Sequence, residues 1–193
     1  MTDLRVLVQG LARRDGDSWT AYPSTIFIHD GHRRIIVDPG NHPGLPDILE
    51  MNSIWAEDIE YVFLTHSHID HLMNMGLFPD ASIIDVDHVY TGTRMTKHDG
   101  KVPGTNIEIL ATPGHTPDHS SLLLDTEGGK TVVCGDLFWW EEVKERRYDY
   151  SSLLFLEDPF CHDRDSLISS RRMVLRMGEE FIPGHGERFR LAN

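Results

Sequence analysis

The stretch His66-Ser-His68-Ile-Asp70-His71 places four metal-ligand side chains within six residues and constrains the fold more than any other part of the sequence. It follows an apolar, β-branched run at 61–65 that predicts a strand. Because side chains alternate along a strand, His66 and His68 point to the same side. Asp70 and His71 begin a predicted helix, where adjacent side chains point in different directions. The pattern predicts a metal site at a strand end, with ligands for two neighbouring ions.

Three more candidate ligands each lie in a glycine-containing turn after an apolar run. They are His115 in Pro-Gly-His-Thr-Pro, Asp136 in Cys-Gly-Asp and His185 in Pro-Gly-His-Gly. Alone, His185 and Asp136 are more typical of turns than of ligands. Together with the first stretch, and each at a strand exit, they indicate one site. Five imidazoles and two carboxylates suit zinc, iron or manganese and are too rich in nitrogen for calcium or magnesium.

The hydrophobic pattern predicts the fold class. Short β-branched runs predict strands at 4–8, 25–28, 34–37, 61–64, 83–85, 107–110, 121–124 and 131–134. Helical patterns cover 45–54, 70–76 and 166–177. Grouped strands with helices between the groups predict an α+β fold, a four-layer αββα sandwich, although periodicity alone equally allows another α+β arrangement. No repeat or linker divides the chain, so we expect one domain over residues 1–193.

Composition excludes some classes of protein. The 193 residues contain 31 acidic and 18 basic side chains, a net charge of −13, which disfavours a nucleic-acid binder with a broad basic face but not a nuclease with a local cationic groove. Two cysteines are too few for a disulfide framework, and Cys134 is expected in the core. The apolar runs are far shorter than the roughly 18 to 20 residues that span a bilayer. With no membrane partner and no signal-peptide pattern, we expect a cytoplasmic protein.

Two segments are expected to be loops over the site, 91–104 and 138–165. The second mixes charge with aromatic residues. Four of its aromatic side chains fit either a lid over the site or the interface of a homodimer. They are Trp139, Trp140, Phe155 and Phe160.

The ordered pattern His-x-His-x-Asp-His, His, Asp, His resembles the signature of the metallo-β-lactamase-fold superfamily of hydrolases, over nearly the whole chain. The resemblance implies one metal ion bound by His66, His68 and His115, a second bound by Asp70, His71 and His185, and Asp136 between the two. We expect two divalent ions, zinc first, with iron or manganese as alternatives. In Asp-Pro-Gly after a predicted strand, Asp38 resembles the early aspartate that supports the site from behind.

The same resemblance implies a mechanism. Two ions that share a water lower its pKa from 15.7 towards about 7, so that the bridging water serves as the nucleophile at neutral pH. Asp70 is expected to be the catalytic residue that orients this water or takes its proton.

Three positions bear on the subclass. Asp136 at the bridging position argues against an antibiotic-hydrolysing enzyme, since those members carry another residue there. Asp118 replaces the glycine of the usual His-Thr-Pro-Gly-His, and His119 is expected to be a buried neighbour of the site, not a ligand. Trp139 stands where lactone-hydrolysing relatives carry tyrosine, which lowers the lactonase interpretation without removing it.

Further stretches at 74–81, 157–159, 170–175 and 181–190 resemble a subgroup whose animal members are linked to endonucleolytic 3′ processing of replication-dependent histone pre-mRNA. This favours an endoribonuclease, a phosphodiesterase acting on single-stranded RNA. Candidate phosphate contacts are Arg146, Arg147, Arg171, Arg172, Arg188 and Arg190, and candidate stacking platforms are Trp139, Trp140, Tyr148 and Tyr150. The plainer interpretation places Arg171 and Arg172 on a solvated helix face and the paired tryptophans in a pocket wall.

The alternative is a small-molecule thioester, ester or lactone hydrolase of the glyoxalase II-like type. The acidic surface and a lid built from 138–150 favour it. The second set of metal ligands argues against a redox enzyme with a single iron, and the complete set argues against a binding module that has lost catalysis.

Overall fold

In a computed structural model of the chain, the described residues are 2–142 and 144–192. Their strands are β1 (Asp3–Val8), β2 (Leu11–Asp15), β3 (Ser18–Tyr22), β4 (Thr25–His29), β5 (Arg34–Val37), β6 (Tyr61–Phe63), β7 (Ser82–Ile84), β8 (His88–Thr91), β9 (Arg94–Lys97), β10 (Glu108–Ala111), β11 (Ser120–Thr126), β12 (Gly129–Gly135) and β13 (Glu180–Pro183). The helices are α1 (Leu45–Met51), α2 (Ile69–Leu72), α3 (Tyr150–Leu154) and α4 (Arg164–Met177), with 3-10 turns at Ala56–Asp58 and Met73–Leu77.

The strands form two main sheets and a hairpin. The larger sheet has seven strands in the order β1-β4-β5-β6-β7-β8-β9, and β5, β6 and β7 run parallel at its centre. The smaller sheet has four strands in the order β10-β11-β12-β13, with β12 and β13 parallel. Strands β2 and β3 pair only with each other as an antiparallel hairpin.

Side-chain alternation shows how the layers stack. On β4, Ile26 and Ile28 face the smaller sheet, whereas Phe27 packs with the α1 residues on the opposite face. On β11, Leu122 and Leu124 join the layer between the sheets, whereas Leu123 packs with α4. Period-two burial on both faces therefore produces four layers, helix, sheet, sheet and helix. The predicted αββα sandwich is confirmed.

Every predicted strand corresponds to an observed one within a few residues. The hairpin β2–β3 and the strands β8 and β9 were not predicted, because their residues lack a long apolar alternation. All four residues of β9 are exposed, and it is held by pairing with β8. The prediction that 91–104 is a loop over the site is wrong, because β9 is the edge strand, three places from β6 in the larger sheet.

Within the described part of the chain, no helix combines the length and the apolar character that crossing a membrane requires. The helix α4 has 14 residues and packs one face on the smaller sheet.

The layer between the sheets supports a test of the packing. Leu122 is fully buried there, and replacing it with alanine leaves a cavity that the two sheets cannot both close. We expect Leu122→Ala to lower the free energy of unfolding by about 2 to 5 kcal/mol in denaturant titrations. The control Met51→Ala, at an exposed position of α1, should change it by less than about 0.5 kcal/mol. Equal effects of the two changes would contradict the assigned core.

Candidate metal centre

The seven predicted ligands meet at one edge of the sandwich. His66 follows β6, Asp136 follows β12, and His185 follows β13, so both sheets deliver side chains to this edge. His115 lies in the connection after β10, and Asp70 and His71 lie on α2. The ligand atoms form two groups, each within 4.8 Å: His66, His68, His115 and Asp136 in one, and Asp70, His71 and His185 in the other.

Asp136 lies between the two groups. Its Oδ2 is 3.4 Å from His115 Nε2 and 3.5 Å from His185 Nε2, and its Oδ1 is 3.5 Å from His71 Nε2. One carboxylate thus faces ring nitrogens of both groups, which is the arrangement expected of a residue that bridges two ions.

The buried polar atoms fit a pair of cations. Among the described residues, the buried His66 Nε2, His71 Nε2 and Asp136 Oδ1 have no hydrogen-bond partner. His68 Nδ1 and His115 Nε2 are 3.1 Å apart, a distance that requires a proton or a cation between the two nitrogens. Unpaired polar groups in a core are costly. Divalent ions would satisfy these atoms, and the nitrogen-rich donor set suits zinc, iron or manganese.

Asp38 sets the orientation of two of the rings. Its Oδ1 accepts from Thr65 N, and its Oδ2 accepts from Thr65 Oγ1 at 2.7 Å and from His71 Nδ1 at 2.8 Å. Because the Thr65 hydroxyl donates to Asp38, its oxygen accepts from His66 Nδ1 at 3.0 Å. Both imidazoles therefore carry their proton on Nδ1 and present the Nε2 lone pair to the centre. The structure places Asp38 behind the site, as the resemblance implied.

Two other rings are held by acceptors that the sequence analysis did not find. His185 Nδ1 donates to the carbonyl of Leu11 on β2 at 3.0 Å, and His115 Nδ1 donates to Asp158 Oδ2 at 2.7 Å. A carbonyl or carboxylate oxygen can only accept, so Nε2 of each ring is again free for the centre. The stretch 157–159 stands out only through its resemblance to a subgroup, and nothing local connects Asp158 or Leu11 with the histidines that they orient, because both are distant from them in the chain.

Charge in this cluster is strongly coupled. Burial opposes ionisation of Asp136, but His185 and His71 outweigh it and hold the pKa of the Asp136 carboxyl well below its usual value. Burial likewise opposes protonation of His185, and Asp136 outweighs it, raising the pKa of His185 to about 9. The metal-free site therefore compensates its buried carboxylate with protons on neighbouring imidazoles. These protons compete with metal ions for the same nitrogens.

Asp70 is the more accessible carboxylate of the centre. Its side chain is 23% exposed, and its Oδ2 lies 3.4 Å from His185 Nε2. Burial alone would raise the pKa of Asp70. The hydrogen bond to His185 and the charge of His71 outweigh this effect, so the pKa of Asp70 lies below its usual value. The carboxylate is ionised at neutral pH and reaches the solvent-facing side of the cluster.

His119 is buried beside the centre but faces the protein. Its Nε2 accepts from the backbone N–H of Asp136 at 3.1 Å, and its Nδ1 donates to Thr112 Oγ1 at 2.9 Å. Both ring nitrogens are thus occupied. Burial is the main cause that lowers the pKa of His119 to about 3, which keeps the ring neutral and its Nε2 an acceptor.

Two glycines allow the chain to pass close to the ligands. Gly135 has a φ of +47°, and a Cβ there would lie 2.7 Å from His119 Nε2. A Cβ on Gly184 would collide with Asp136 Oδ1. Each glycine directly precedes a candidate ligand. A residue without a side chain is needed at both positions because the backbone there passes close to the site.

An apolar pocket of about 270 Å³ opens over the centre. Its wall is formed by the rings of Trp19, Trp139 and Phe160, which contact one another edge to face. The ring centroid of Trp139 is 5.6 Å from that of Trp19 and 5.3 Å from that of Phe160. Ile69 and Ala21 add to the wall, and the floor is formed by His68, Asp70, Asp136 and His185. Trp19 lies on the β2–β3 hairpin, and the sequence analysis did not connect it with the site.

Several predictions about the aromatic segment are wrong. Trp140 is buried in the core against Phe138 and Phe189, so it neither stacks on bases nor joins an interface with a second chain. Phe138 is also core, so 138–150 as a whole is not a lid, and Val143 lies outside the described residues. Trp139 lines the pocket, and only Phe155 and Phe160 of the four aromatics named for an interface are exposed.

Three arginines also lie elsewhere than predicted. Arg171 was placed on a solvated helix face, but it is 1% exposed and donates to the carbonyls of Leu137 and Leu156. Arg188 and Arg190 pair with Glu180 at the start of β13. That is the opposite end of the strand from His185, so the centre is out of their reach.

Comparisons with known proteins identify the family of the chain. Residues 20–108 match the sequence profile of the metallo-beta-lactamase superfamily. A Xenopus laevis protein named metallo-beta-lactamase domain-containing protein 1 is 31% identical over 199 residues, covering 97% of this chain and 81% of that protein. A hydroxyacylglutathione hydrolase of Neisseria meningitidis is 32% identical over 121 residues, covering 57% of this chain and 45% of that enzyme.

Solved structures show the same fold. A Thermotoga maritima protein assigned to the metallo-beta-lactamases superposes with a TM-score of 0.71 over 98% of this chain and 99% of that one, at 19% identity. A dizinc quorum-quenching lactonase superposes with a TM-score of 0.64 over 87% of this chain and 73% of that one, at 16% identity.

The fold and the histidine–carboxylate site define a class of metal-dependent hydrolases built on an αββα sandwich. The chain belongs to the metallo-β-lactamase superfamily. The predicted family and the predicted hydrolase class are both confirmed.

Asp38 provides a test of the support behind the centre. Asp38→Asn keeps the shape of the side chain but removes the charge that faces His71. Because hydrogen bonds to a charged group contribute about 1.5 to 3 kcal/mol, we expect a loss of that size in the unfolding free energy of the metal-free protein. The exposed Asp87→Asn is the matched control and should change stability by less than about 0.5 kcal/mol. Similar denaturation curves for both variants would contradict the role of Asp38.

Proposed function

We propose that the chain is a dinuclear metal-dependent hydrolase of small esters, thioesters or lactones that carry an apolar group. The observation that carries this proposal is the aromatic pocket over the centre. Among the described residues that line it, none is a lysine or arginine. An apolar pocket with a few polar groups at one end is typical of small-molecule sites, whereas an RNA strand is also bound by lysines and arginines along its backbone.

The proposed metal ligands follow the two groups of the structure. One ion would be held by His66, His68 and His115. The other would be held by Asp70, His71 and His185. Asp136 faces both. Two bound divalent ions, with zinc the first candidate, would lower the pKa of a water molecule and polarise the substrate oxygen.

The side chains of this protein then have separate tasks. Trp19, Trp139 and Phe160 hold the apolar part of the substrate and exclude water from it. Asp70 is ionised and lines the pocket, and its Oδ2 faces His185, so the carboxylate would orient the attacking water, take its proton and return it to the leaving alkoxide or thiolate. Addition of water across the C–O or C–S bond yields a carboxylic acid and an alcohol or thiol.

Cleavage of single-stranded RNA is the competing function. The distribution of cations supports it weakly, since Arg171 is buried and Arg188 and Arg190 lie at the far end of β13. Two of the described arginines lie near the pocket. Arg14 Cζ is 5.8 Å from the ring centroid of Trp19, and Arg146 is close to a candidate ligand, since its Cζ would lie 3.7 Å from a Cβ on Gly186, directly after His185. Arg146 is therefore the residue whose removal tests the RNA function.

Metal content gives the first test. We expect the zinc-loaded protein to bind two ions per chain by elemental analysis, and Asp136→Ala to lose affinity for both because Asp136 faces both groups. Hydrolysis by this variant should fall by more than the 10- to 100-fold typical of an outer-shell change, with an unchanged circular dichroism spectrum. The control Asp87→Ala should keep both ions. A single ion in the wild type, or full activity of Asp136→Ala, would contradict the proposal.

Substrate selection gives the second test. We expect turnover of a panel of apolar esters, thioesters and lactones that is insensitive to salt, and no salt-sensitive cleavage of labelled single-stranded RNA. Trp19→Ala should lower kcat/KM for the best apolar substrate by about 10-fold or more, because apolar contacts in such pockets are worth about 1 to 3 kcal/mol.

Trp55→Ala is the matched control for Trp19, since Trp55 has similar exposure but lies beside α1, away from the pocket. RNA cleavage that falls with rising salt and is lost in Arg146→Ala would overturn the small-molecule function.

A further inference from the structure

A fully buried carboxylate lies directly behind one ligand of the centre. Asp158 Oδ2 is 2.7 Å from His115 Nδ1, and both side chains are 0% exposed. The other oxygen, Oδ1, accepts from the backbone N–H of Phe160 at 2.9 Å. Both carboxylate oxygens are therefore bonded, and the Asp158 side chain has one defined orientation towards the ring.

The segment 156–163 that carries Asp158 is fastened on two sides. From α4, Arg171 Nη1 donates to the carbonyl of Leu156 at 2.6 Å. His162 N lies 2.9 Å from the carbonyl of Gly114 and 3.1 Å from that of His115, so the segment is bonded to the turn that holds the ligand. The geometry of Asp158 towards His115 is thus fixed by hydrogen bonds to the backbone on both sides of it and is not a chance surface contact.

The two groups of the centre have the same kind of support from unrelated parts of the chain. Asp38, which follows β5, accepts from His71 in one group. Asp158, from the segment before α4, accepts from His115 in the other. A carboxylate behind a metal-binding imidazole fixes its tautomer and increases the basicity of the opposite nitrogen, and losing it costs 10- to 100-fold in metal affinity or activity.

We propose that Asp158 is the positioning residue for the ion held by His66, His68 and His115, an inference that rests on the proposed metal centre. Asp158 keeps the proton of His115 on Nδ1 and the Nε2 lone pair towards Asp136. Phe160 of the same segment forms part of the pocket wall. The segment therefore connects the affinity of one ion with the shape of the substrate pocket.

The test measures metal affinity independently of turnover. The full chain is loaded with zinc or cobalt(II), and each ion is withdrawn by competition with a chromophoric chelator. Asp158→Asn, which removes the charge and keeps the shape, is compared with Glu157→Gln, which removes the adjacent exposed carboxylate. We expect Asp158→Asn to weaken one of the two ions by about 10- to 100-fold and to leave the other within about threefold. Glu157→Gln should retain both affinities.

A spectroscopic signature separates positioning from general destabilisation. In the cobalt-loaded Asp158→Asn protein, the visible absorption of one ion should change while that of the other is preserved. In the zinc-loaded wild type, the Nδ1 proton of His115 should give a strongly downfield resonance from its bond to the carboxylate, which keeps the inference testable if the variant does not fold.

The outcomes are distinguishable. Equal affinities in Asp158→Asn and the wild type, or the absence of a downfield His115 proton, would overturn the role of Asp158 and leave the proposed function intact. A wild type that binds no ions would overturn both. Selective weakening of one ion supports the inference even if none of the esters, thioesters or lactones is hydrolysed, a result that would count against the proposed substrate alone.

Discussion

The structure depends on one electrostatic constraint: an ionised Asp136 carboxylate lies buried among imidazoles at the junction of the two sheets. A buried charge is tolerated only when cations or hydrogen-bond donors surround it. In the metal-free site, His71 and His185 meet this demand, because the raised pKa of each ring keeps a proton on it. Four of the five rings direct Nδ1 outward to an acceptor, which leaves Nε2 for an inner proton or an ion: His66, His71, His115 and His185. The outward acceptors are a hydroxyl, two carboxylates and a carbonyl, from Thr65, Asp38, Asp158 and Leu11. The acceptors behind the rings and the candidate ligand atoms in front of them therefore depend on each other.

The sandwich explains how such a cluster is assembled. Strands β6, β12 and β13 end at the same edge, and each is followed within a few residues by a candidate ligand. The sheets are held face to face by the apolar layer that includes Ile28, Leu122 and Ile182. Because this layer is rigid, the ends of strands from different sheets are kept at ligand distances without a ligand having to come from a long loop.

The pocket wall shows that the hairpin and the segment before α4 have double roles. The hairpin β2–β3 gives the Leu11 carbonyl to His185 and Trp19 to the wall. The segment 156–163 gives Asp158 to His115 and Phe160 to the wall. Each peripheral element thus orients one imidazole and shapes the space above it. A change of substrate preference and a change of metal affinity are therefore expected to be linked in this protein.

Local sequence determined the strands with strong apolar alternation, the helices α1, α2 and α4 within a few residues, and the identity of the seven candidate ligands, because those signals are carried by neighbouring residues. It did not indicate α3, which lies in a segment expected to be a loop. Asp38 was indicated by the resemblance of its Asp-Pro-Gly turn to that of the superfamily. Tertiary structure alone decided which groups stand behind the rings and which aromatic side chain faces the site. Leu11 and His185 are 174 residues apart, and Asp158 and His115 are 43 apart. Trp139 and Trp140 are adjacent, yet one lines the pocket and the other is core. Such choices depend on which elements pack together in space, and hydrophobic periodicity along the chain does not contain that information.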